Sequence, residues 1–322
     1  MSWRAGFLIA AVVLAAAPPA VAAERYALIV SGANGDASYA DHYGKWRLSL
    51  FTALHETLKI DERHIEMLFD GADGEHAATA SGVRRAIEGL RAKLGPDDLL
   101  LVFMIGHGTF DGLEAKFNLV GPDLSGAEWA SLLKPLPGRL VVVDTTAASF
   151  PYLERLAGPR RIVITATDSP AQRFDTVFPE YFIKALTDPG ADIDKNDRVS
   201  IWEAFLAASL SVRRYYAQRG QLATERALLD DNGDGVGREA GGDGDDGSVA
   251  SRSYLDESVV GAAPTDEELL ALLQKRATLE IDVEDLKQRR LLMTPDDYEK
   301  EFERLMVDLA RVSRDIRRKQ KT

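Results

Sequence analysis

Five short apolar runs constrain this chain more than any other feature: Tyr26 to Ser31, His64 to Phe69, Leu99 to Ile105, Leu140 to Asp144 and Ile162 to Ala166. They are rich in Val, Ile and Leu, and several are apolar at successive positions instead of alternating. That pattern marks strands covered on both faces, as in a parallel sheet. Helical patterns lie between and after them, at Gly44 to Leu58, Ala80 to Leu94, Gly126 to Leu133, Val177 to Leu186 and Ile201 to Arg219. A βαβα order of this kind predicts an α/β/α sandwich with a mainly parallel sheet. Binding or catalytic groups are then expected beyond the C-terminal ends of the strands.

The remaining segments have other compositions. Met1 to Ala23 carries Arg4 as its only charge, an apolar stretch from Gly6 to Ala17, and Val21-Ala22-Ala23 at its end. This reads as a signal peptide, cleaved near Ala23, and it places the protein in the periplasm or outside a bacterial cell. No later stretch is apolar enough to span a membrane. From Leu229 to about Pro264, Gly and Asp dominate, and the segment reads as an acidic loop or linker. In Thr265 to Lys321, apolar positions Leu269, Leu272, Leu279, Val283 and Leu286 precede Met293-Thr294-Pro295. Tyr298, Phe302, Leu305, Leu309, Val312 and Ile316 follow. Thr265 and Glu268 form a capping box. Two helices joined by so short a break fold back as an antiparallel hairpin. Acidic residues open the first helix and Arg317, Arg318 and Lys319 close the second, so each end suits its dipole. The hairpin either packs on the domain or serves as a coiled-coil-like arm for a partner or for self-association. The expected organisation is therefore 1–23 signal peptide, 24–228 α/β domain, 229–264 acidic loop or linker, and 265–322 helical hairpin.

The formal charge of −12 argues against a nucleic-acid partner, because the phosphate backbone is repelled. The chain holds no cysteine, so neither disulfides nor an N-terminal lipid anchor on cysteine is open to it.

Two motifs carry the functional question. The run Leu99 to Ile105 ends in Gly106-His107-Gly108. The run Leu140 to Val143 ends in Asp144-Thr145-Thr146. Upstream, Ala27 to Gly35 gives a strand and a small-residue loop, followed by Asp41-His42-Tyr43; downstream, Arg161 to Thr167 gives a further strand. In this order the set resembles the legumain and caspase-like cysteine peptidases, over roughly Arg25 to Arg219. The resemblance implies a caspase-like sandwich with His107 as acid–base, the Gly108 backbone at the oxyanion, and the nucleophile at the position read here by Thr146. A cysteine is nucleophilic with little help. A threonine hydroxyl needs a well-placed base, itself oriented by a third group. Asp144, two residues from Thr146, points along the same face of the strand exit and is the candidate acid, a proximity that does not by itself place it behind His107; Thr145 and Ser149 are alternative hydroxyls. His42 is within reach of the same end of the sheet from the first loop.

The leading expectation is a secreted or periplasmic pseudo-peptidase that keeps the cleft as a surface for a peptide or protein partner. The alternatives are an active peptidase or hydrolase using Thr146 with His107, and a Ca²⁺-stabilised structural module.

Two acidic loops bear on that last reading. Asp192, Asp194, Asn196, Ser200 and Glu203 match a twelve-residue EF-hand loop, with Asp197 where the turn prefers Gly. Asp230, Asn232 and Asp234 begin a second loop that keeps its Gly235 but lacks the closing acid. Ca²⁺ in a structural role is the expected cofactor for both.

Overall fold

The computed structural model describes residues 23–172, 174–242, 244–256, 267–290 and 293–319. The proposed signal peptide lies outside them except for Ala23, as do Thr265 of the expected capping box and the last part of the expected linker.

Six strands form the central sheet: β1 (Arg25–Ser31), β2 (Ile65–Phe69), β3 (Leu99–Ile105), β7 (Arg139–Asp144), β8 (Arg161–Thr165) and β9 (Leu228–Asp230). Their order is β2-β1-β3-β7-β8-β9, all parallel except β9, which runs antiparallel along β8. Three short strands, β4 (Gly108–Phe110), β5 (Ala115–Phe117) and β6 (Leu124–Ser125), make a separate antiparallel sheet directly after His107. The helices are α1 (Ala37–Thr52), α2 (Ala80–Lys93), α3 (Gly126–Leu133), α4 (Phe150–Leu156), α5 (Phe178–Ala185), α6 (Ile201–Gln218), α7 (Glu267–Arg289) and α8 (Pro295–Lys319).

The successive apolar residues of the strands fill two cores, one on each face. Ile29, Leu101, Phe103, Val141 and Ile164 point to the layer of α1, α5 and α6. Leu28, Val102, Met104, Val142 and Val163 point to the layer of α2, α3 and α4. Since strand side chains alternate in direction, only a doubly covered sheet needs both parities apolar. All seven residues of β3 are buried. The result is an α/β/α sandwich.

Helix starts are set by local capping. Asp36 accepts the Ser38 and Tyr39 N–H groups ahead of α1, and capping boxes at Ser125–Glu128 and Ser200–Glu203 open α3 and α6. The N-terminal end of α5 is closed from a distance, with the Glu225 carboxylate accepting the N–H of Val177 and Phe178.

The Gly/Asp-rich segment differs from the expected linker over its described part. Its first residues complete the central sheet as β9, and Leu229, Ala240, Ala250 and Leu255 are buried. Backbone groups take the place of a side-chain-rich core. The Asp231 carboxylate accepts the N–H groups of Gly247, Val249 and Ala250, and Asp246 accepts those of Asp231 and Asn232. Gly247, at φ +101, lies flat on Trp202, where an added Cβ would sit 2.9 Å from the indole.

Helices α7 and α8 form the expected antiparallel hairpin, and Glu268 in the first turn of α7 pairs with Lys319 in the last turn of α8. Leu269, Leu279, Val283 and Leu286 of α7 and Leu305, Val312 and Ile316 of α8 are buried in the same core as α6. The hairpin therefore packs on the domain. Among the described residues no helix is long and apolar enough to cross a membrane.

Candidate functional site

The C-terminal ends of β1, β3 and β7 open on one edge of the sheet. The loop after β3 carries His107, and its imidazole sits above the Asn34–Gly35 turn that follows β1. Gly35, at φ +76, faces His107, and a Cβ there would approach Nε2 to 3.5 Å. Nδ1 of His107 lies 3.2 Å from Oδ1 of Asp175, in the loop between β8 and α5. The Tyr43 hydroxyl lies 3.3 Å from Nδ1 and 3.2 Å from Nε2, and the Tyr39 ring meets the imidazole edge-on at 4.5 Å. The hydrogen bond that the imidazole donates to the Asp175 carboxylate raises the His107 pKa above its ordinary 6.5, against the opposing effect of burial. Burial holds the Tyr43 phenol protonated far above its ordinary range. His107 is thus a partly exposed acid–base group held by a carboxylate and a phenol.

His42, expected within reach of this site, does not meet His107, whereas its neighbour Tyr43, of which nothing was expected, does. His42 is exposed, and its ring neighbour is Trp46. The two expected partners, Thr146 and Asp144, are arranged otherwise. Thr146 is 1% exposed, and its hydroxyl has no hydrogen-bond partner. It lies against Gly108, where any Cβ would come within 2.6 Å of Oγ1. Glycine at 108 is therefore required by this approach, and the Gly108 backbone enters β4 opposite Phe117. Asp144 is fully buried, and its Oδ1 accepts the Thr146 N–H at 2.9 Å. It orients the strand exit, not the imidazole. Desolvation raises its pKa to about 6. The alternative hydroxyls are also engaged. Thr145 donates to the Met104 carbonyl, and Ser149 shares a hydrogen bond with Thr167.

Asp175, like Tyr43 and Tyr39, is a residue that sequence reasoning missed. It is one acid in a polar loop, far from His107 in the chain, and no spacing rule marks it.

The first acidic loop is compact. Oxygens of Asp192, Asp194 and Glu203 lie within 4.8 Å of one another, and all three residues are buried. Asp197 adopts the left-handed conformation, φ +64, that an EF-hand loop demands at that position. Desolvation, then repulsion from Glu203, raises the pKa of Asp194 to about 7. Hard oxygens drawn this close fit a divalent cation such as Ca²⁺. Two of the expected ligands are directed elsewhere. The Ser200 hydroxyl belongs to the α6 capping box, and the Asn196 side-chain carbonyl accepts the Arg198 N–H. In the second loop, Asp230 accepts the N–H of Gly233 and Gly235, Asn232 that of Asp234, and Asp234 that of Val236. These are turn-forming bonds, and among the described residues no third carboxylate joins Asp230 and Asp234.

No protein-family model matches the chain, and no curated protein matches it. Among solved structures, a crystal structure of a Geobacter sulfurreducens protein shares 14% identity, covering 64% of this chain and 92% of the other, with a TM-score of 0.40.

Proposed function

We propose that this protein is an exported binding or scaffold protein on a scaffold resembling the legumain and caspase-like peptidases, and that Thr146 is not a nucleophile. The observation that carries this reading is the burial of the Thr146 hydroxyl against Gly108, with no bond to His107. A nucleophile has to meet both its base and a substrate carbonyl roughly 3 Å away. The leader-like composition of residues 1–23 supports export.

The occupant of the cleft is a peptide or protein segment. His107, Asp175 and Tyr43 offer hydrogen bonds, and apolar side chains stand on the neighbouring loops. Phe174, next to Asp175, is 72% exposed, and Leu113, in the hairpin that follows His107, is 89% exposed. Ca²⁺ at Asp192, Asp194 and Glu203 would supply positive charge that holds the loop against the N-terminal end of α6.

The competing reading is an active hydrolase. The His107–Asp175 pair favours it, because a carboxylate behind an imidazole is what a hydroxyl nucleophile requires.

The test is turnover of a peptide library by the natural chain and by Thr146→Ala, His107→Ala and Thr146→Cys, with peptide binding measured in parallel. The expected result is binding without turnover in the natural chain, and weaker binding in His107→Ala. Turnover that disappears in both alanine variants sinks the proposal in favour of a hydroxyl hydrolase.

A further inference from the structure

The opposite edge of the sheet, where β7 and β8 begin, carries a cavity of about 680 Å³. Its floor is apolar, with Leu136 and Leu140, and its polar lining is Lys134, Arg155, Arg160, Arg161 and Ser131. Four cations and no carboxylate line it, in a chain whose formal charge is −12. Among the described residues none of the four forms an ion pair. Arg160 and Arg161 donate to the backbone carbonyls of Pro96 and Leu156, while Lys134 and Arg155 have no partner. Elsewhere this protein pairs its basic residues freely with its excess of acid, as in Arg84–Glu128 and Arg198–Asp256.

A structural explanation accounts for only part of this charge. Helices α3 and α4 both end here, and a helix C-terminus is equivalent to roughly half a negative charge. Two of them offset about one of the four cations. The remainder faces no carboxylate in the cavity, and Arg161 is half-buried as well, so that desolvation lowers its pKa. A bound anion would be attracted to all four cations at once.

We propose that this cavity is a binding site for a phosphate-bearing ligand with at least two negative charges. Guanidinium groups recognise phosphate with paired N–H donors, and three of the four cations are arginines. A cavity of this size exceeds one phosphate and suits a small organic phosphate. A soluble ligand is favoured over a lipid headgroup, because the net charge of −12 repels an anionic membrane surface. The site lies at the far end of the strands from His107, so it stands independently of the proposed cleft.

The test is calorimetric titration of the whole mature chain with pyrophosphate at constant ionic strength, beside sedimentation with phosphatidylglycerol vesicles. Lys134→Glu/Arg155→Glu changes two exposed side chains, and thermal unfolding of the variant checks that the fold is kept. Arg311→Glu/Arg314→Glu makes the same charge change on α8 and serves as control. Saturable pyrophosphate binding is expected, weakened about ten-fold or more in the first variant and unchanged in the control. Vesicle binding lost only in the first variant would keep the phosphate site and reassign its source to lipid. Absence of saturable binding to either probe at millimolar phosphate, or equal loss in both variants, overturns the proposal.

Discussion

Nδ1 of His107 lies 3.2 Å from Oδ1 of Asp175, and this contact, not one to Thr146 or Asp144, sets the chemistry of the imidazole. Because the carboxylate favours the charged ring, the folded His107 pKa stands above its ordinary 6.5. The stabilisation is complete below that ordinary value and is lost as pH rises through the folded one. Asp175→Asn should lower the ring pKa, as followed by NMR of the imidazole protons. It should also lower stability to urea below about pH 6 more than at about pH 9, by less than about 1 kcal/mol for a pair this exposed. An unchanged ring titration would remove Asp175 from the site.

The Thr146 hydroxyl is buried without a partner, which is unfavourable by roughly 1–3 kcal/mol. Thr146→Val keeps the shape and removes the unsatisfied group. It should raise the unfolding free energy by about 1 kcal/mol and leave peptide binding intact. The complementary change, Gly108→Ala, drives a methyl to within 2.6 Å of the same oxygen and should destabilise by about 1–3 kcal/mol. Loss of function in Thr146→Val, with stability unharmed, would restore the hydroxyl to a chemical role.

Asp144 gives the protein a built-in pH dependence. Its carboxyl is fully buried and titrates near pH 6 instead of 3.8. A raised acid pKa means that the native state prefers the protonated form. That preference stabilises fully below about pH 4 and is lost as pH climbs through about 6. The shift corresponds to about 3 kcal/mol. Asp144→Asn keeps the acceptor for the Thr146 N–H and removes the titration. Its unfolding free energy should change less than the natural chain's between about pH 4 and about pH 7. Identical pH profiles would show that the group is not desolvated as the structure places it.

Much of the fold was legible in the sequence, and the reason is physical. A strand covered on both faces is apolar at nearly every position, as β3 is, and the five expected strands agree with the observed ones to within a residue at each end, including the half-buried edge strand β2 with its Glu66. The missed elements had no such demand on them. β9 is only three residues long, held by β8 on one edge and by a single bridge to Arg238 on the other, and α4 follows closely on the Asp144–Thr146 exit. The site was legible in half. His107 and Thr146 were placed at strand ends by topology alone, as observed. Asp175 and the burial of Thr146 depend on how a distant loop and β4 fold over that edge, which periodicity does not encode.

The carboxylates of Asp192, Asp194 and Glu203 are drawn together against their mutual repulsion. If Ca²⁺ is the cation, calorimetry should show binding that Asp194→Asn weakens by about ten-fold or more. Excess Ca²⁺ should raise the melting temperature through its preference for the folded state, and a chelator should reverse the rise. No heat of binding, with a melting temperature indifferent to chelator, would leave the loop held by its backbone bonds alone.

Gly247 tests whether the Gly/Asp-rich segment is a linker or a wall of the core. Its backbone is at φ +101, which disfavours any side chain, and a Cβ would meet the Trp202 indole at 2.9 Å. Trp202 is itself fully buried at the start of α6, beside Glu203 of the acidic cluster. A linker glycine in solvent would tolerate alanine within about 0.5 kcal/mol. A glycine packed on an indole would not, because the added methyl displaces either the ring or the chain. Gly247→Ala should therefore lower the unfolding free energy by about 2 kcal/mol or more, combining backbone strain with overpacking. The ring displacement should also alter the near-ultraviolet circular dichroism of the tryptophans. Replacement of Gly220, which has open space around it and a φ of +65 that an L residue can adopt at modest cost, should leave that signal unchanged. A tryptophan spectrum as unchanged in Gly247→Ala as in the Gly220 variant would show that the ring is not displaced and that the segment does not wall the core.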